Sequence, residues 1–156
     1  MKTYKLLTPG PLTTTDSVKQ EMLFDHCTWD EDYKQITQRI RRELLQLAHV
    51  DETAYTTVLM QGSGTFGVES VISSVIPDDG CLLLLSNGAY GERIAAMCRY
   101  HHISCVHIAQ DYDKIPDRMK AEEALKQHPE ITHIAMIHSE TTTGILNDIQ
   151  SIGELA

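Results

Sequence analysis

The residues best suited to chemistry are Gln61-Gly62-Ser63-Gly64-Thr65, a run of small and hydroxyl-bearing residues between an apolar stretch, Thr57 to Met60, and an amphipathic segment. Small side chains let backbone approach an anion closely, the Ser63 and Thr65 hydroxyls can donate to it, and the free N–H groups of a helix start point at it. The order predicts a strand, a phosphate cradle and a helix. Val68, Val71, Ile72, Val75 and Ile76 recur at helical spacing, so one face of that helix is expected to be buried. Two later stretches carry complementary groups. Asn87-Gly88-Ala89-Tyr90-Gly91 offers an aromatic ring between glycines, and His138 to Gly144 offers Glu140, Thr141, Thr142 and Thr143. Together they suit a flat, phosphorylated, heteroaromatic ligand: Tyr90 can stack on its face and a threonine hydroxyl can bond its ring substituents. Taken singly, each stretch also has a plainer role, Tyr90 as a loop anchor and the threonines as caps of the next helix.

These stretches must be positioned by regular elements. Thr15 or Asp16 can cap a short helix carrying Val18, Met22 and Leu23. A longer helix begins at Asp30, with Tyr33, Ile36, Ile40, Leu44 and Leu47 in one stripe and Arg39, Arg41 and Arg42 read as surface charge. Pro77-Asp78-Asp79-Gly80 is a turn before a continuous apolar strand, Cys81 to Leu85, of the kind buried on both faces. A helix from Glu92 to Tyr100, a strand from Ser104 to Ala109, a helix from Asp117 to Gln127 and a strand from Thr132 to Ile137 follow, and 149–156 reads as the start of another helix. Alternation of this kind implies right-handed crossovers and a mostly parallel sheet covered by helices on both faces. Ligands of such sheets collect beyond the carboxyl ends of the strands, where loops 62–65, 87–91 and 138–144 are expected to converge.

Competing motifs are weaker. Gly62, Gly64 and Gly67 spell G-x-G-x-x-G, but the dinucleotide fingerprint wants an acidic residue about 20 positions on, and Leu85-Ser86-Asn87 stands there. A hydrolase elbow fails because Gln61 holds the place of its first glycine. Cys98, His101, His102 and Cys105 lie close in sequence without a second ligand pair at zinc-site spacing, so no metal is expected. Cys81 and Cys105 read as small strand hydrophobes, and adjacent His26 and Cys27 do not make a nucleophile and its base.

Composition bounds the rest. A chain of 156 residues, 42% hydrophobic, can bury a core, and its net charge of −9 disfavours nonspecific nucleic-acid or anionic-membrane binding. No apolar run approaches the roughly 20 residues of a membrane span, and a cytoplasmic location is expected.

Five segments in order carry a resemblance: Leu7-Thr8-Pro9-Gly10-Pro11-Leu12, Cys27-Thr28-Trp29-Asp30-Glu31-Asp32-Tyr33, Gln61 to Phe66, Asn87 to Arg93, and Glu140 to Asn147. They resemble the class V, fold-type I pyridoxal-phosphate aminotransferases, and within them the 2-aminoethylphosphonate:pyruvate branch. The resemblance implies an α/β fold, three-layer α/β/α with a mostly parallel sheet, as the incomplete large domain of such an enzyme. Residues 1–50 would be an N-terminal arm and helices, and 51–156 the first part of the cofactor domain. It implies pyridoxal 5'-phosphate as cofactor, with Ser63, Gly64 and Thr65 at its phosphate, Tyr90 on its ring and Thr141 at its polar edge. Gly10 is expected near the substrate's acid group. The implied reaction moves the amino group of 2-aminoethylphosphonate to pyruvate, giving phosphonoacetaldehyde and L-alanine, in a homodimer. Lys2, Lys5, Lys19, Lys34, Lys114, Lys120 and Lys126 all precede the threonine loop. The Schiff-base lysine and the aspartate that pairs with the pyridinium are therefore expected beyond Ala156, and the isolated chain is not expected to transaminate. Alternatives are another class V enzyme such as an alanine:glyoxylate or serine:pyruvate aminotransferase, a nucleotide-binding module, or a noncatalytic binding or dimerisation fragment.

Overall fold

A computed structural model describes residues 4–8, 10 and 12–156. The chain divides into two compact units, Met1–Gln61 and Gly62–Ala156.

In the first unit, helix α1 (Asp16–Glu21) starts at Thr15, whose hydroxyl accepts the Val18 N–H at 3.5 Å. Helix α2 (Glu31–Leu47) follows Asp30, as the sequence predicts. Its stripe of Tyr33, Ile36, Ile40, Leu44 and Leu47 is nevertheless exposed. The half-buried positions are instead Thr37, Arg41 and Leu45. Arg41 donates to the Thr56 hydroxyl, and the Thr57 hydroxyl donates to the Arg41 carbonyl at 3.1 Å. Arg39, paired with Glu43 at 2.7 Å, and Arg42 are surface charges, whereas Arg41 is not simply solvated. The strand expected over 57–60 does not form, and Val58, Leu59 and Met60 are exposed. A strand needs a neighbouring backbone to complete its hydrogen-bond ladder, and none of the described strands pairs with this segment. In the Pro9-Gly10-Pro11 turn, both prolines lie outside the described residues, and an antiparallel bridge joins Leu7 to Leu12.

The second unit is built on strand β1 (Cys81–Ser86), flanked in parallel by β2 (Ser104–Ala109) and β3 (Ile131–Met136) in the order β2-β1-β3. Helices α3 (Gly64–Val75) and α4 (Ala89–Tyr100) cover one face; α5 (Arg118–Gln127) and α6 (Ile149–Gly153) cover the other. The expected α/β/α layering is therefore present. Side chains alternate along a strand, so Leu82 and Leu84 pack with Ile72, Ile76 and Ile94, while Leu83 and Leu85 pack with Ala121, Ala124 and Ile152. Both faces being apolar explains the unbroken leucine run. Each buried leucine contributes about 1.5–3 kcal/mol.

Four local outcomes differ from expectation. Of the α3 stripe, Ile72 and Ile76 are buried, but Val71 and Val75 are exposed. Helix α4 begins at Ala89, so Tyr90 and Gly91 form its first turn instead of a loop. Segment 138–144 is largely a hairpin: β4 (Ser139–Glu140) pairs antiparallel with β5 (Ile145–Leu146). Its turn closes because the Thr143 and Gly144 amides both bond the Glu140 carbonyl, at 3.2 and 2.8 Å, with Gly144 at φ 77° where a side chain would be strained. The last helix is also shorter than 149–156, ending at Gly153. No described helix is long and apolar enough to cross a membrane.

Leu84→Ala, at a position with 0% exposure in the central strand, is expected to cost about 2–5 kcal/mol in urea denaturation, against little change for an exposed position such as Val71. Burial, followed by the neighbouring Cys98, pushes the Cys105 thiol up to about 12, and burial raises Cys98 as well. Because the folded state holds these protons more tightly, stability should persist at neutral pH and decline as pH rises through the thiol range toward 12. At pH 8, alkylation read by mass spectrometry should label exposed Cys27 first and reach Cys98 and Cys105 only on unfolding.

Candidate functional site

The site is assembled from two helix starts and a hairpin, all in the second unit. At the first start, Ser63 is extended and its Oγ accepts the Phe66 N–H at 3.2 Å, while its carbonyl takes the Gly67 N–H at 2.9 Å. That leaves the amides of Gly64 and Thr65 at the positive end of the helix without intrahelical acceptors. The Thr65 hydroxyl accepts from Arg93 at 3.0 Å, and the same guanidinium lies 4.8 Å from the centre of the Tyr90 ring. Arg93 thus ties the start of α3 to the aromatic ring.

The second helix start is capped from elsewhere in the chain. Gly88, the N-cap of α4, has no side chain to offer. Glu140 supplies the acceptor: one carboxylate oxygen takes the Tyr90 N–H at 3.2 Å, and Thr142 Oγ1 takes the Ala89 N–H at 3.4 Å. The other oxygen accepts the Thr142 N–H at 3.2 Å and its hydroxyl at 2.6 Å. Glu140 has 0% exposure. A Cβ at Gly88 would stand 2.3 Å from Glu140 Cγ, so glycine is what lets the carboxylate reach the helix. The two helix starts therefore differ electrostatically. That of α4 already holds a carboxylate, and that of α3 is open to an anion.

The hairpin also discriminates among its three threonines. Thr142 is engaged with Glu140 and α4, and Thr143 Oγ1 bonds the Glu140 carbonyl at 3.2 Å and the Ile145 N–H at 3.3 Å. Thr141 is exposed and makes no side-chain hydrogen bond within the described chain.

Beneath these groups lies a reciprocal amide pair. Buried Asn87 and Asn147 each donate to the other's carbonyl at 2.9 Å. Asn147 also donates to the Ile137 carbonyl at 2.7 Å, and Asn87 to that of Lys114 at 2.8 Å. The pair locks together the segments that leave β1 and β3. Their following helices, α4 and α6, lie on opposite faces, which makes this the switch point of the sheet.

The predicted loops thus converge. Contacts join Thr65 to Tyr90 through Arg93, and Tyr90 to the threonine turn through Glu140. Gly10 belongs to the other unit, where it is exposed. Sequence reading passed over Arg93 and the Asn87–Asn147 pair; the recurrence of a cation one helical turn after an aromatic was the available signal for the first, and no spacing signals the second. It also passed over a polar cluster in which the Ser86 hydroxyl lies 2.7 Å from both Glu92 and His107 Nε2. The same ring nitrogen also faces Glu92 at 3.4 Å, so the acid does not orient the imidazole from its far side as in a nucleophile triad. The dinucleotide motif fares worse: no strand precedes it among the described residues, and a Cβ at Gly64 or Gly67 would meet nothing within 4 Å, so no close helix–strand packing demands glycine there.

No family model matches the chain. The 2-aminoethylphosphonate–pyruvate transaminase of Lysinibacillus sphaericus (strain C3-41) is 56% identical over 155 residues, covering 99% of this chain and 42% of the relative. Its counterpart from Lactiplantibacillus plantarum is 49% identical over 150 residues, covering 96% and 41%. Over the stretch it spans, the chain is similar to these transaminases. It spans about 42% of the length of the curated relatives it matches. Among solved structures, pyridoxamine–pyruvate aminotransferase from Mesorhizobium loti matches with a TM-score of 0.83 at 24% identity, over 97% of this chain and 38% of that one. Alanine–glyoxylate aminotransferase from Nostoc sp. matches at 0.80 and 21%, over 99% and 42%. The fold is that of these aminotransferases.

Within this fold, an open apolar groove of about 630 Å³ runs along α3, β3 and α6. Its lining of Val71, Ile134, Met136 and similar side chains carries no ionisable side chain, in contrast to the polar junction.

Gly88→Ala should force Glu140 from the start of α4 and cost about 1–3 kcal/mol in thermal or urea unfolding. Gly153→Ala, where a Cβ meets nothing within 4 Å, serves as the control.

Proposed function

We propose that this chain carries the phosphate-binding and ring-stacking part of a pyridoxal-phosphate-dependent transaminase. The enzyme moves the amino group of 2-aminoethylphosphonate to pyruvate, with phosphonoacetaldehyde and L-alanine as products. By the same family resemblance it works as a homodimer. The observation that supports the cofactor most directly is the pairing of an open, hydroxyl-rich helix start at Ser63, Gly64 and Thr65 with a half-buried Tyr90, joined by Arg93. Amides and hydroxyls without carboxylates suit a phosphate dianion, and a ring held beside them suits a planar heteroaromatic.

When bound, pyridoxal phosphate supplies the electron sink of amino-group transfer. The residues of this chain bind and orient. Gly64 and Thr65 amides with the Ser63 and Thr65 hydroxyls hold the phosphate, Tyr90 stacks on the ring, and Thr141, alone of the three threonines in having a free hydroxyl, bonds the ring's polar edge. Gly10 is assigned to the substrate's acid group. The switch-point position, at the carboxyl ends of β1 and β3, is where ligands of such sheets bind.

Equilibrium titration followed by cofactor absorbance tests the reading. Pyridoxal 5'-phosphate should bind the chain at least about tenfold more tightly than pyridoxal, the phosphate contributing charge-assisted hydrogen bonds. Thr65→Val should shrink that ratio, and Tyr90→Ala should weaken both ligands by about tenfold while Tyr90→Trp retains binding. Equal affinity for the two aldehydes would refute the phosphate cradle.

A further inference from the structure

We propose that Glu140 is a positioning residue: through the first turn of α4 it sets the Tyr90 ring against the Thr141 hydroxyl. The inference rests on the cofactor reading above and assigns within that site a residue that touches neither phosphate nor ring.

The argument begins with cost. A carboxylate with no solvent contact is strongly unfavourable unless its oxygens are saturated by donors. Here the donors come from two separate elements. One oxygen holds the Tyr90 N–H of α4, and the other holds the Thr142 N–H and hydroxyl of the hairpin turn. Thr142 closes the circuit by accepting the Ala89 N–H. The carboxylate therefore cannot shift without losing bonds on one side or the other.

The two site residues are those directly attached to this circuit. Tyr90 carries its ring on the residue whose amide is held, and Thr141 is the residue between Glu140 and Thr142. Displacement of the carboxylate moves ring and hydroxyl relative to one another. A helix cap supplied by α4's own side chain would stabilise the helix equally well and carry no information about the hairpin. Gly88 at the N-cap, with Glu140 in the space a Cβ would fill, makes the trans cap possible.

Glu140→Gln keeps size and shape but turns one oxygen into a donor that must face the Tyr90 or Thr142 amide. Measurements on the 156-residue chain by NMR and by cofactor-binding dichroism test the idea. In E140Q, the Tyr90 ring resonances should move and the Tyr90 and Thr142 amides should exchange about tenfold faster, with Leu83 in β1 unchanged. Pyridoxal 5'-phosphate should bind about tenfold more weakly with its induced dichroism reduced. Thr142→Val leaves the carboxylate in place, removes one link of the circuit and should act in the same direction should E140Q not fold. Thr142→Ser should recover most of what Thr142→Val loses. Unmoved Tyr90 signals in folded E140Q or Thr142→Val would overturn the proposal. So would moved signals with cofactor affinity and dichroism unchanged, which would leave Glu140 a structural cap only. A wild-type chain that binds no pyridoxal 5'-phosphate would instead defeat the cofactor reading, while the ring and amide signals still decide whether Glu140 holds Tyr90.

Discussion

A carboxylate sealed from water at the start of a helix organises the functional end of this molecule. Glu140 cannot be buried without its full set of donors, and those donors are the Tyr90 amide and the Thr142 amide and hydroxyl. Satisfying one side chain thereby fixes the relation between a helix and a hairpin that are 50 residues apart in the chain. The glycine at position 88 is the steric counterpart of this bond, since any side chain there would occupy the carboxylate's place.

The same bond allocates charge. Two helix starts face the carboxyl end of the sheet, and both favour negative charge. At α4 the protein's own carboxylate takes that place. At α3 the cap is the neutral Ser63 hydroxyl, and the nearby side chain is the Arg93 guanidinium, bonded to Thr65. An external anion is thus favoured at α3 and disfavoured at α4. An overall charge of −9 makes such local selection necessary, because the field of the whole chain repels anions.

Rigidity beneath the site comes from a different source. The leucines of β1 are buried on both faces, and the Asn87–Asn147 pair continues that order past the strand ends with every amide group engaged. Apolar packing places the strands and a satisfied polar pair places the loops. Ser86, Glu92 and His107 add a polar link between β1, α4 and β2 on the other side.

What local physics dictates was legible in the residues alone. The leucine run of β1, the alternation of strands with amphipathic helices, the Thr15 cap of α1 and the glycine-rich start of α3 each depend on neighbours within one turn or one strand, and they stand where the sequence places them. The parallel layering and the convergence of three loops followed from the general rules of such sheets. Tertiary contact decided the remainder. Segment 57–60 has strand composition but no pairing partner among the described strands, and a ladder is a property of two backbones. The apolar stripe of α2 is visible at helical spacing, yet its exposure depends on what packs there. Helix α4 starts three residues earlier than its own sequence suggests because its cap is Glu140, a side chain that only folding brings near. For the same reason Thr141, Thr142 and Thr143 are indistinguishable as a triplet, and only the hydrogen bonds of the folded hairpin leave Thr141 free.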